Sequence, residues 1–171
     1  MKKLLVVVDM QKDFIDGALG TAEAQAIVSN VKGKIERFDG DVVFTYDTHW
    51  ENYPDTQEGR KLPVIHCVKG TEGWELDKCL QPLAQGKKIF EKPTFGSVEL
   101  GEFVKASDYT DVELVGLCTD ICVISNAMLI KAYMPEVNVS VDATCCAGVT
   151  PESHKNALSA MAMCQIEINN S

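Results

Sequence analysis

The run Val115-Gly116-Leu117-Cys118-Thr119-Asp120-Ile121-Cys122-Val123 is an apolar strand that breaks at a small-residue turn, with a helical pattern beginning at Ile121. Strand, tight turn and helix in immediate succession are the unit from which open α/β sheets are built. The position of Cys122 suits a nucleophile. A sulfur in the first turn of a helix feels the positive end of the macrodipole and backbone N–H groups able to hold an oxyanion.

Outward from that run the same alternation continues. Lys3 to Val8 reads as a strand, Thr21 to Phe38 as a helix, Asp41 to Tyr46 as a strand and Lys87 to Glu91 as another, followed by a helix opening near Ser97. Val112 to Gly116 is the strand that enters the turn, and Ile121 to Tyr133 the helix that leaves it. After Pro135 comes a strand at Val137 to Val141, then a helix with Thr150 as N-cap and Pro151 at its first position, and a last short strand at Gln165 to Ile168. About six strands linked by helices imply a mainly parallel sheet covered on both faces, a three-layer, Rossmann-like α/β fold. The stretch from Thr48 to Trp74 alone lacks periodicity, and irregular segments of that length are usually functional or disordered.

With 171 residues and 46% hydrophobic composition, the expectation is a single domain over residues 1–171. Sixteen basic against 25 acidic residues give a net charge of -9 without a dense basic block, so nucleic acid is not an expected partner. The apolar start at Leu4 to Val8 is too short for a signal peptide, and no stretch approaches the ~18 apolar residues of a membrane span. Seven cysteines without Cys-x-x-Cys spacing argue for reduced thiols and a cytoplasmic setting. Cys67, Cys79, Cys145, Cys146 and Cys164 are read as small buried apolar residues. The sequence leaves homo-oligomerisation open.

In open parallel sheets ligands bind beyond the carboxyl ends of the strands. Asp9, Asp47, Lys92, the Cys118–Cys122 turn and Asp142 each follow an apolar run, so they converge on one rim. A thiol needs a base, and Asp9 can serve if a cation such as Lys92 holds it. Taken alone, Asp9 could equally satisfy backbone groups, Lys92 be solvated, and Asp142 brace the rim. Cys118 and Cys122 could form a redox pair or half a metal site, although their spacing fits neither pattern well. Phe14, Trp50 and Phe95 flank these residues and could sandwich a flat substrate, against the commoner fate of core packing.

Asp47-Thr48-His49 places a carboxylate and an imidazole on one side of a strand end, with His66 and Glu58 as further ligands for one ion. The competing reading is a histidine bonded to its neighbouring carboxylate. Two of only three histidines bracket the unpatterned stretch, which an ion could order; such oxygen and nitrogen ligands suit Zn, Mn or Fe. His154 is read as a surface side chain without a role.

Val8-Asp9-Met10-Gln11-Lys12-Asp13-Phe14, Glu91-Lys92-Pro93-Thr94-Phe95 and Gly116 to Val123 resemble the isochorismatase-like cysteine hydrolases, and within them the nicotinamidases. The similarity runs through nearly the whole chain, and His66-Cys67-Val68-Lys69-Gly70-Thr71-Glu72-Gly73 extends it. The resemblance implies a triad of Asp9, Lys92 and Cys122, an oxyanion hole of the Cys118 and Cys122 backbone N–H groups, and a cis Leu117–Cys118 peptide. It also implies a divalent transition metal, zinc foremost, on Asp47, His49 and His66 with Glu58 as fourth ligand. The implied reaction is hydrolysis of nicotinamide or another small amide through a Cys thioester, feeding NAD salvage; the alternative is another small-amide or carbamoyl hydrolase of the superfamily. Two positions depart from the pattern: Pro63 stands where an aromatic often precedes the last metal histidine, and Phe95 where a tyrosine is usual.

Overall fold

The computed structural model describes residues 1–171. Its centre is a six-stranded, all-parallel sheet: β1 (Lys3–Val8), β2 (Asp41–Asp47), β3 (Lys88–Lys92), β4 (Asp111–Leu117), β5 (Asn138–Ala147) and β6 (Glu167–Asn169). The strand order is β3-β2-β1-β4-β5-β6. The chain therefore winds one way from β1 to β3 and the other way from β4 to β6, and the switch point between β1 and β4 is where a crevice opens in such sheets.

Alternation along β1 explains the layers. Leu4, Val6 and Val8 face one side and Leu5 and Val7 the other, and all five are fully buried. Each burial is worth about 1.5–3 kcal/mol, so this strand anchors both cores. Leu4, Val6 and Val8 share their core with Leu100 and Val104 of α5 (Val98–Lys105), Ala127 and Ile130 of α6 (Ile124–Tyr133) and Met161 of α7 (Pro151–Met163). Leu5 and Val7 pack with Phe14 of α1 (Lys12–Ile15), Ile27, Val31 and Ile35 of α2 (Ala22–Arg37), and Ala84 of α4 (Gln81–Ala84). The unpatterned stretch is ordered by two 3-10 turns, Tyr53–Asp55 and Glu72–Trp74, with α3 (Gln57–Lys61) between them. No helix is long and apolar enough to cross a membrane.

Three expectations need correction. The helix expected from Ile121 begins instead as a π turn over Thr119–Val123, closed by Val123 N donating to Cys118 O at 3.0 Å, and becomes α-helical at Ile124. The fifth strand does not stop at Val141. A shift of register against β4 between Leu114 and Gly116 lets it run on to Ala147, so Asp142 lies inside the strand and away from the rim. There Asp142 pairs with Lys34 at 2.8 Å, and Thr144 and Asn170 donate to it at 2.7 and 2.9 Å. Cys79 and Cys164 are exposed, each in a turn that carries it away from the core, whereas Cys67, Cys145 and Cys146 are buried.

Candidate active site

Strand ends deliver the reactive trio. Asp9 follows β1 with φ at +47°, a left-handed conformation that turns the chain as it leaves the sheet, and Lys92 is the last residue of β3. Lys92 Nζ lies 2.6 Å from Asp9 Oδ2 and 3.3 Å from Cys122 Sγ, with all three side chains buried. Thr45 donates to Asp9 Oδ1 at 2.6 Å, while Oδ2 accepts no well-directed hydrogen bond and has the ammonium as its ionic partner. The Leu117–Cys118 peptide is cis.

Burial dominates the protonation states. It pushes the Asp9 carboxyl up, against the opposing pull of Lys92. Burial likewise raises the Cys122 thiol well above its ordinary value, with Lys92 again opposing and Asp9 and Asp47 adding to the rise. Burial thus favours the neutral thiol, in keeping with a nucleophile that needs a base. Burial also works against the charge on Lys92, but Asp9, Cys122 and Asp47 beside it hold its pKa above the usual lysine value.

A second cluster adjoins the first. The ligand atoms of Asp47, His49, Glu58 and His66 all lie within 4.8 Å of one another. Asp47 Oδ2 is 3.0 Å from His49 Nε2 and 3.5 Å from His66 Nε2, and Glu58 Oε1 is 3.6 and 3.9 Å from the same two nitrogens. Ligands at about 2.0–2.1 Å around a tetrahedral ion stand about 3.3–3.4 Å apart, so the quartet has the dimensions of a divalent metal site. His66 Nδ1 is 2.7 Å from the Val64 carbonyl, which fixes that nitrogen as the donor and leaves Nε2 free to ligate. The electrostatics agree. Burial and Asp47 raise Glu58, and His66 is raised because Asp47, the Val64 carbonyl and Glu58 together overcome the burial that opposes its charge, so an added cation would be favoured among these groups.

Asp47 belongs to both clusters, since its Oδ1 lies 3.6 Å from Lys92 Nζ. Gln11 holds it in place: the Gln11 side chain donates to the Asp47 carbonyl at 2.8 Å and accepts from its N–H at 2.7 Å. The sequence reading passed over Gln11, although it sits two residues after Asp9 in the same motif. It also passed over Tyr53, whose ring centroid lies 4.6 Å from His49 and 5.1 Å from His66, and whose hydroxyl donates to the Leu62 carbonyl at 2.8 Å.

Both clusters open on one cavity of about 230 Å³, lined by Phe14, Leu19, Leu62, Phe95, Ile121 and Val149 around Cys118, Cys122, Asp47, Glu58 and His66. Trp50 does not line it. Its side chain is 56% exposed and lies under Lys69 Nζ, because the chain turns outward at Trp50 after the His49–Val68 bridge. His154 is half-buried rather than a free surface group, and its Nδ1 shares a 2.7 Å hydrogen bond with Thr119 Oγ1.

The isochorismatase domain family matches residues 3–169. The chain belongs to the isochorismatase family. Within this family it is 33% identical to PncA of Bacillus subtilis (strain 168), described as an isochorismatase family protein, over 95% of each chain. A crystal structure of a nicotinamidase/pyrazinamidase PncA from Bacillus subtilis has a TM-score of 0.82 at 29% identity, covering 99% of this chain and 100% of that one. A pyrazinamidase/nicotinamidase from Streptococcus mutans UA159 has a TM-score of 0.84 at 28% identity, covering 98% and 99%. A Pyrococcus horikoshii pyrazinamidase in complex with zinc has a TM-score of 0.82 at 27% identity, covering 98% of each chain. This isochorismatase-family chain thus shares its fold with nicotinamidases and pyrazinamidases over 98–99% of its length.

Proposed function

We propose that this amidohydrolase converts nicotinamide to nicotinate and ammonia through a thioester on Cys122, supplying NAD salvage. The observation that carries the reading is the contact of Lys92 with both Asp9 and Cys122, 2.6 and 3.3 Å, beside a metal-sized quartet on the same cavity. Asp9 takes the thiol proton as Sγ adds to the carboxamide carbon, and the oxyanion meets the backbone N–H groups of Cys118 and Cys122. Collapse of the adduct breaks the C–N bond, and Asp9 returns its proton to the departing nitrogen, which leaves as ammonia. Asp9 then draws a proton from water as its oxygen adds to the thioester carbon; the C–S bond breaks, Asp9 passes that proton to the departing sulfur, and the acid released ionises to nicotinate, leaving the restored thiol. Lys92 keeps Asp9 oriented and ionised, and Phe14 and Phe95 flank the ring.

Asp47, His49, Glu58 and His66 would hold a divalent metal, and zinc suits this mixed nitrogen and oxygen set; the Pyrococcus horikoshii relative is itself a complex with zinc. A metal held by these four residues would supply Lewis acidity beside the proposed nucleophile. The test is ammonia release from nicotinamide and a panel of small amides, with and without chelator, by the parent and by Cys122→Ala. Release from nicotinamide that is lost in the variant and on chelation is the expected result. Chelator-insensitive hydrolysis of other amides alone would place the protein with the non-metal amide or carbamoyl hydrolases of the family.

A further inference from the structure

We propose that His154 is a positioning residue for the turn that carries the nucleophile, a role that rests on the cysteine-hydrolase reading above. Thr119 is the first residue of the π turn that carries Cys122, and it is fully buried. A buried hydroxyl needs a partner, and the partner is the Nδ1 of His154 at 2.7 Å. The next residue is tied to the same segment: Val149 N donates to the Asp120 carboxylate at 3.2 and 3.3 Å. Two consecutive side chains of the π turn are thus clasped, Thr119 by the first turn of α7 and Asp120 by the connection that leads into it.

The far side of the clasp is itself firmly built. Thr150 caps α7 through a reciprocal capping box, accepting from Ser153 N at 3.0 Å while Ser153 Oγ serves the Thr150 N–H, and His154 N donates to the Thr150 carbonyl. Gly148 allows close approach, since a Cβ there would lie 2.8 Å from His154 N. Gly148 and Val149 also line the cavity, so the segment that presents His154 forms one wall of the site. The imidazole therefore fixes the π turn from outside the cavity, and through the turn it sets where Sγ and the Cys118 N–H point. A misplacement of about 1 Å at a reacting group, caused by a change away from the chemistry, can cost about 100-fold in rate.

The experiment measures kcat and KM for nicotinamide, together with thermal stability, in His154→Ala, His154→Asn, Thr119→Val and the Thr119→Val/His154→Ala double variant. Asparagine places a polar atom where Nδ1 stands, one bond beyond Cγ. His154→Ala is expected to lose about fivefold to fiftyfold in kcat with KM within about twofold, the span of one lost buried hydrogen bond expressed in the transition state. His154→Asn should recover most of that loss, and the double variant should be no worse than the poorer single variant. Thr119→Val reads the same contact from the other side if His154→Ala does not fold. Unchanged kcat in His154→Ala and Thr119→Val, or an asparagine variant as slow as the alanine one, overturns the positioning role. Ammonia release surviving in Cys122→Ala would instead overturn the reading on which it rests, so the two failures are distinct.

Discussion

At Lys92 one ammonium faces Asp9, Cys122 and Asp47, and that crowding sets the expected pH behaviour. Burial already holds Asp9 above the usual carboxylate value, and Lys92 is the main influence holding it down. Activity that needs ionised Asp9 should therefore decline on the acid side at a pH above the ordinary aspartate value of 3.8. In Lys92→Met the restraint is gone, so that decline moves to still higher pH, and kcat/KM drops by about 100-fold or more. A pH–rate profile measures both, and an unmoved acid side would assign the titration to another group. The meeting of Asp9, Lys92 and Cys122 was legible because each ends or follows a strand, and parallel strand ends converge. Trp50, Cys79 and Cys164 were not, because exposure within an irregular segment or a helix end depends on where the chain turns, which residue type does not encode.

The elements add constraints that side-chain chemistry alone does not reveal. Gly116 has φ at +119°, and a Cβ there would strike the Val8 carbonyl of the neighbouring strand. Gly116→Ala should lower the unfolding free energy by about 2–4 kcal/mol, readable by denaturant titration; a shift under 1 kcal/mol would mean that β1 and β4 separate easily. In α3 a Cβ on Gly59 would strike the Tyr53 carbonyl, and the neighbouring Glu58 would move with the helix. If the proposed quartet holds a divalent metal, Gly59→Ala is expected to weaken its binding by about 10- to 100-fold in chelator competition, whereas unaltered affinity would count against Glu58 as a ligand. The strands and long helices could be read from periodicity. The π turn could not, since its wide hydrogen-bond pattern involves the same residues an α-helix would use, and α3 was hidden by its five-residue length.

For the molecule as a whole, the Lys34, Glu113 and Asp142 network ties α2 to the sheet, while Asn169 and Asn170 fasten the last strand to the same acids. Despite burial, hydrogen bonds from Lys34 and Thr144 hold Asp142 below its ordinary pKa. A depressed carboxylate adds stability above its unfolded value that disappears as the pH falls through the folded one. Asp142→Asn should therefore be less stable than the parent by about 1–3 kcal/mol at neutral pH and converge with it in acid, as followed by thermal melts across pH. The layered architecture was legible from the recurrence of short apolar runs. The role of Asp142 was misplaced because a register shift carried its strand onward, a matter of pairing between distant segments.

The strand order divides the labour between the two ends of the chain. Asp9, Lys92 and the proposed metal ligands Asp47, His49, Glu58 and His66 all come from the stretch that builds β1 to β3, whereas the sulfur, its turn and His154 come from the stretch that builds β4 to β6. Neither half-chain carries the whole of the proposed machinery. A polypeptide severed between α5 and β4 would make two inert fragments, and ammonia production would return only when they mate along the β1 edge.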